Sequence, residues 1–338
     1  MTVSLPTKKI LYALLFISLL TFLSTTSFAQ EGTQSSVETT GIQVSAPTYT
    51  FEINPGSVGQ EIIKVKNVGN KRQTFYPEVL DFRPNGETGA AEFINTKEAE
   101  TYTYSLSSWI SLSKKPIVLD PDKSTALNFN ITVPASAEPG GRYAGILFGT
   151  QPPDPGAGQV AISNKVGSLV LVRIAGDAKE VATLKEFASD KTNYDKGPVN
   201  FVVRVENSGN VHVVPKGTIE IKNLFGSKQS VLNVNENNGN VLPESIRRFD
   251  KENGLSWAPK GFTFGRYAAT VTLTYGDPTK TLTGSVSFWI IPWVQIAIAL
   301  VILVVLALLI FFGVKRYNRY IVSKALKNKS ANSNQPQP

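Results

Sequence analysis

The sequence predicts an all-β ectodomain carried on a single membrane-spanning helix. Three observations support this. Between residues 49 and 287, apolar side chains recur at every second position in short runs that end at Gly, Pro, Asn or Asp. That is the period of half-buried strands, not of helices. Residues 290–312 carry no charge and one polar side chain, Gln295. At 1.5 Å per residue this run is about 34 Å long, enough to cross the hydrocarbon core of a bilayer. Finally, the 338 residues include no cysteine, so the β core stands without disulfides, unlike many small secreted domains.

The elements follow in order. Lys8 and Lys9 precede an apolar run at 10–23, and Ser27 and Ala29 occupy the −3 and −1 positions of a cut before Gln30. This is the layout of a secretory signal peptide over 1–29. Residues 30–48, rich in Ser, Thr, Gly and Gln, read as a flexible leader. Tyr49, Phe51 and Ile53 then alternate up to a turn at Asn54-Pro55-Gly56, and Ile63 and Val65 alternate up to a turn at 68–71. Leu127, Phe129, Ile131 and Val133 face one way, with Asn128, Asn130 and Thr132 opposite. Pro134 ends that strand because it has no N–H for a ladder. Gly140-Gly141 turns into a strand over 142–148. The only helical expectation in this region is one turn within 95–101. The Pro/Gly segment 150–158 reads either as a linker or as an exposed loop. The core-strand pattern at 166–174 favours the loop and moves the boundary to about 176. The expectation is a first β-sandwich over 49–176 and a second over 177–287.

The second unit echoes the first. Val65-Lys66-Asn67-Val68-Gly69-Asn70 is matched by Val205-Glu206-Asn207-Ser208-Gly209-Asn210, and Gly141-Arg142-Tyr143-Ala144 by Gly265-Arg266-Tyr267-Ala268. The same order in both units predicts two related, tandem Ig-like β-sandwiches. The Asn-x-Gly-Asn runs suit turns that need positive φ. The Gly-x-Tyr-Ala runs suit a strand whose tyrosine ring covers the core while its hydroxyl stays wet. Residues 270–275 close the second unit, and 285–289 lead almost directly into the apolar run, so this unit sits close to the bilayer.

The membrane helix is placed at 288–314, with Trp289 and Trp293 at the outer interface, where indoles are favoured. Lys315, Arg316 and Arg319 open a basic tail over 315–338 that carries no acid. Basic flanks stay on the cytoplasmic side, which makes the chain single-pass with its ectodomain outside the cell. The formal charge of +8 is accounted for by the two lysines of the signal peptide and the six basic residues of the tail. The ectodomain is neutral overall, so nothing in its charge calls for nucleic acid as a partner.

The catalytic inventory is short. One histidine, His212, lies in N-V-H-V-V-P, where alternation turns it away from Val211 and Val213 toward water. A nucleophilic triad needs such a ring between a hydroxyl and a carboxylate, and zinc sites take several His or Cys ligands. The pairs Asp120/Asp122, Glu98/Glu100 and Asp190/Asp195 read as solvated charges, and no calcium-loop or phosphate-loop spacing is present. The expectation is therefore no enzyme, no metal and no cofactor. Aromatic residues are the better recognition material. Tyr102 and Tyr104, sharing a face in T-Y-T-Y-S-L-S-S-W-I, are the candidate ligand contacts, positioned to stack on sugar rings, while Trp109 reads as core. Trp257, in S-W-A-P-K-G, reads as a loop aromatic near the membrane or an interface.

The run I-T-V-P-A-S-A-E-P-G-G-R-Y-A-G-I-L-F at 131–148 resembles the late strands of the first domain of the WxL-interacting proteins of Gram-positive bacterial surfaces. Residues 51–70 resemble that domain's opening. The layout of signal peptide, two Ig-like domains, one helix and a basic tail is similar too. The resemblance implies a cell-wall-associated protein whose first domain binds peptidoglycan and whose second binds a partner surface protein. The alternative function is a structural or assembly subunit of a membrane-associated envelope complex, with partners met through the helix.

Overall fold

The computed structural model describes residues 41–152 and 165–332; the expected signal peptide lies outside them. Ten strands build the first half: β1 (Ile42–Val44), β2 (Thr48–Ile53), β3 (Val58–Asn67), β4 (Gln73–Asn85), β5 (Ala90–Phe93), β6 (Ile110–Leu112), β7 (Ile117–Leu119), β8 (Ser124–Thr132), β9 (Gly140–Gly149) and β10 (Lys165–Ile174). They form two sheets, ordered β1-β3-β8-β6 and β2-β10-β9-β4-β5, with β7 paired to β4. Alternate residues of both sheets meet in one core, with Ile63, Val65, Phe129 and Ile131 facing Phe75, Ile146, Phe148, Val170 and Val172. The start of this half corrects the leader expected over 30–48. Ile42–Val44 pairs antiparallel with β3. The chain then turns at Ala46, at φ 47°, and β2 joins the other sheet parallel to β10. Two large apolar side chains among Ser, Thr and Gly gave too weak a pattern to reveal β1, yet Ile42 and Val44 pack against the core. One helical turn, Thr96–Ala99, is capped by the Asn95 side chain, which accepts from two backbone N–H groups.

The second half has β11 (Ala182–Ser189), β12 (Asn193–Tyr194), β13 (Val199–Asn207), β14 (Lys216–Asn223), β15 (Lys228–Val234), β16 (Ser245–Phe249), β17 (Ser256–Trp257), β18 (Gly265–Tyr275) and β19 (Lys280–Ile290). Its sheets run β11-β13-β16, with β17 on β13, and β12-β19-β18-β14-β15. The core comes from strict alternation: Val199, Phe201, Val203 and Val205 along β13, and Tyr267, Ala269, Val271, Leu273 and Tyr275 along β18. Trp257 belongs to this core and not to a loop at the membrane or an interface. It is 6% exposed and its ring centroid lies 5.3 Å from that of Tyr267. Its strand β17 pairs antiparallel with β13, placing Trp257 opposite Val199.

The end of β19 moves the membrane boundary. Phe288 and Ile290 are fully buried in the second core, so residues 288–290 belong to the sheet and not to the helix expected from 288. Pro292 then starts a continuous helix, Trp293–Asn332, whose first part is long and apolar enough to cross a membrane. Lys315, Arg316 and Arg319 are exposed along the same helix, which runs through most of the expected tail.

Both repeated motifs work differently from their sequence reading. Neither Gly209 nor Asn210 has positive φ. Instead Asn207, fully buried, donates from Nδ2 to the carbonyls of Val211 (2.8 Å) and Val241 (2.9 Å) and accepts from Gly209 N–H (2.9 Å). Asn67 repeats this with Lys71, Leu119 and Gly69 at 2.7, 3.0 and 2.9 Å. In each half a buried amide stitches the turn after a strand to a neighbouring segment. Gly209 is required by close approach, since a Cβ there would lie 2.0 Å from Lys179 O. The Gly-Arg-Tyr-Ala runs are not equivalent. Tyr267 faces its own core and Ala268 faces solvent, whereas Ala144 faces its core and Tyr143 faces away from it. Replacing Asn67 or Asn207 by Ala leaves buried carbonyls and an N–H without partners, each costing about 1–3 kcal/mol. Each variant should therefore unfold at lower denaturant, with stability reduced by about 2 kcal/mol or more; an unchanged midpoint would remove this role.

Candidate functional site

The loop between the Thr96–Ala99 turn and β6 is held by one carboxylate. Asp81, on β4 and 1% exposed, accepts the N–H groups of Leu106 and Ser107 at Oδ1 and the hydroxyls of Ser105 and Ser107 at Oδ2, all at 2.7 Å. A buried carboxylate is tolerated only when its lone pairs are filled. Here they hold residues 105–107, which lead into the 3-10 turn Ser107–Trp109 and set the indole of Trp109 against the first core. Leu106 is fully buried below it.

Arg142, early in β9, lays its guanidinium over the Trp109 ring, 5.6 Å from the centroid, and donates from Nη1 to the carbonyl of Gly141 at 2.8 Å. Among the described residues no carboxylate pairs with it. Burial lowers its pKa from the usual guanidinium value. Tyr102, Glu100, Ser108 and Trp109 border the same open cleft, of about 460 Å³. It therefore offers a half-buried aromatic face, the Arg142 guanidinium, the Glu100 carboxylate and several hydroxyls. Such a set recognises a planar or sugar-like body carrying an anionic group. Among the described residues no group of three or more His, Cys, Asp or Glu could hold a metal.

The tyrosine pair does not form a shared platform. Residues 101–105 are a turn and not a strand, with Tyr102 N–H bonded to Ala99 O and Ser105 N–H to Tyr102 O. The two rings meet edge to face, 5.8 Å apart at 70°. Tyr104 is 8% exposed and its hydroxyl donates to Glu244 of the second half at 3.0 Å. Burial and that bond push its pKa up to about 12. Only Tyr102 remains at the cleft, beside Trp109, which supplies the aromatic surface and is half-buried against the core.

His212 is likewise not turned to water. Its ring packs edge-on against Tyr143, 5.7 Å between centroids. Its N–H donates to the Tyr143 hydroxyl at 2.9 Å, and Nδ1 lies 3.3 Å from the same oxygen. Burial, reinforced by Arg173, holds its pKa down to about 4. The ring is part of a junction between the halves. Gly141 N–H bonds Asn210 O (2.7 Å) and Asn210 Nδ2 bonds Pro139 O (3.0 Å). Leu242 joins Phe82, Tyr104, Tyr143 and Leu171 in a small apolar cluster. The β4–β5 turn reaches across, pairing Glu87 with Arg204 and bonding Glu87 O to Arg248 N–H at 2.9 Å. Its Gly89 admits the Arg247 guanidinium, which a Cβ would strike at 2.3 Å. Trp289 and Trp293 flank the strand-to-helix connection and are 44% and 62% exposed.

Sequence reasoning missed Asp81 and Arg142. Asp81 had a signal, a lone acid in the apolar strand V-L-D-F. Arg142 had none, because its partner Trp109 is 33 positions away in sequence.

No family model matches the chain, and no curated protein matches its sequence. Among solved structures, the class 5 fimbriae chaperone CfaA is similar at 12% identity over 75% of this chain and 100% of its own, with a TM-score of 0.35. The Pseudomonas aeruginosa CupB2 chaperone is similar at 13% identity over 72% and 98%, TM-score 0.33. The E. coli chaperone DraB is similar at 14% over 75% and 98%, TM-score 0.32.

Two outcomes test this geometry. Asp81→Asn removes the charge and puts an amide N–H₂ against two of the four donors. It should destabilise the first half by about 3 kcal/mol, the range for hydrogen bonds to a charged group, and should open residues 105–109 to proteolysis; a wild-type digestion pattern would refute the anchoring role. His212 stays neutral in the folded chain between pH of about 6.5 and 4, while the unfolded chain takes up a proton there. Its contribution is therefore full above about pH 6.5, falls as pH drops, and levels off below about 4. In denaturation across this window the wild type should lose more stability than His212→Gln; parallel curves would contradict the buried assignment.

Proposed function

We propose that this chain is a membrane-anchored bacterial surface protein. In this reading its two halves are tandem Ig-like sandwiches, its ectodomain is extracellular and its C-terminus cytoplasmic. It binds a cell-wall component, a partner surface protein, or both, without catalysing a reaction. The observation that carries the proposal is the Arg142 guanidinium, stacked on Trp109 and without a carboxylate partner. A half-buried guanidinium outside any ion pair keeps N–H groups that a ligand anion can accept. Wall peptides carry carboxylates next to sugars, the combination that an arginine beside an indole and Tyr102 recognises. The single histidine supports a binding role, since it is engaged at the junction.

The test is co-sedimentation of the detergent-solubilised full chain with purified sacculi. Arg142→Gln and Trp109→Leu should each weaken binding about tenfold, corresponding to the ~1.5 kcal/mol of a charge-assisted contact, Arg142→Gln with a thermal midpoint close to wild type and Trp109→Leu with a lower one because it also loses packing against the core. Undiminished binding in both variants removes the cleft from the site. Binding to envelope proteins but not to sacculi selects the partner-protein form.

A further inference from the structure

At the end of the second half from which the helix emerges, large apolar side chains point outward. Leu224 and Phe225 form the β14–β15 turn and are 65% and 89% exposed, while Phe262 and Phe264, just before β18, are 73% and 59% exposed. Register places all four at one level. Asn223 pairs with Tyr267, Arg266 with Trp289 and Gly265 with Ile290, so both segments lie beside the last residues of β19. The turn is fixed. Asn223 Oδ1 accepts the N–H groups of Phe225 (3.1 Å) and Ser227 (2.9 Å), and Gly226 N–H bonds Asn223 O at 2.9 Å. A rigid turn that presents a phenyl ring to solvent lacks a folding reason, and exposed apolar clusters mark interaction surfaces.

The connection to the helix says what covers these tips. Trp289 N–H bonds Thr192 O (2.8 Å) and Ile291 N–H bonds Tyr194 O (2.7 Å), tying the chain to the sandwich up to residue 291. Only Pro292 separates that bond from the helix start at Trp293. One or two residues reach at most about 7 Å, and the uncharged run begins at the helix start. A bilayer occupied by this helix therefore begins directly beneath the sandwich. We infer that Leu224, Phe225, Phe262 and Phe264 insert into the lipid interface around the helix and, with Trp289 and Trp293, seat the second half on the membrane. Lys260 and Arg266 flank the tips and are exposed, suited to lipid phosphates, with their stems along the apolar layer. The inference rests on the proposed anchoring and adds a second, protein-surface contact with the bilayer.

The absence of cysteine permits a direct test. Full-length chains carrying one cysteine, Phe225→Cys, Phe262→Cys, Asn237→Cys or Leu306→Cys, are labelled with an environment-sensitive fluorophore. They are reconstituted into phosphatidylcholine–phosphatidylglycerol vesicles with or without shallow spin-labelled lipid, and with deep spin-labelled lipid for Leu306→Cys. Phe225 is so exposed that its replacement removes no packing. Labels at 225 and 262 should emit at shorter wavelength and lose at least about half their intensity to the shallow quencher. The label at 237, at the opposite end of the sandwich, should be unaffected. Quenching at 306 without quenching at 225 and 262 overturns the inference and leaves the anchor intact. No quenching at 306 by deep spin-labelled lipid overturns the anchor and, with it, the seating.

Discussion

Strand β9 is covered on both faces, and the joining of the two halves depends on that. On one face Ala144, Ile146 and Phe148 fill the first core. On the other, Tyr143 is fully buried beneath the second half, its hydroxyl accepting the His212 N–H. A phenol in that position must have its oxygen satisfied, and burial raises its pKa well above normal. The same strand carries Arg142 one residue earlier, on the opposite face, over Trp109. The junction and the cleft are thus two sides of one strand, and a shift that loosened Tyr143 would also displace the guanidinium.

The second half is bipolar for a topological reason. Its strands begin and end at two levels. One level holds Asn207, His212, Leu242 and Glu244, all engaged with or beside the first half. The other holds the β14–β15 turn, the 262–264 segment and the end of β19. The first half meets the former, and along one flank its β4–β5 turn reaches Arg204, Arg247 and Arg248 on β13 and β16. Gly89 against Arg247 and the pairing of Glu87 with Arg204 brace the joint on its flank, while Glu186 adds a second carboxylate to Arg204 at 3.0 Å. These partly exposed ion pairs add little to stability.

The parts of this architecture legible in the sequence were those with local periodicity. The alternation of β8, β13 and β18, the stop at Pro134 and the long apolar run each repeat at one period within a few residues. Strand β1 escaped because two apolar residues do not make a period. Features that depend on distant partners were invisible. Tyr104 resembles Tyr102 in sequence, and only Glu244, 140 positions away, distinguishes them. His212 read as a surface residue because alternation describes one sheet and says nothing of a second domain packed on its edge. The Gly-Arg-Tyr-Ala echo misled for a related reason, since a shift of one residue reverses which face a strand residue takes.

The cleft is built before any ligand arrives, and that bears on what it can do. Four hydrogen bonds to Asp81 hold residues 105–107 and Trp109 N–H bonds Leu106 O at 2.9 Å, so the indole is already placed and binding need not order the loop. Ordering a free loop would cost about 0.5–1.5 kcal/mol per immobilised side chain, enough to cancel a single charge-assisted contact. Arg142 is similarly constrained by Trp109 below it and Gly141 O beside it. Its remaining N–H groups point along directions fixed by the protein, so an anion meets a preset fork and not a mobile charge. A count of charges over residues 30–287 sums to zero and does not register this, because what the cleft presents is one guanidinium held in place by Trp109 and Gly141 O.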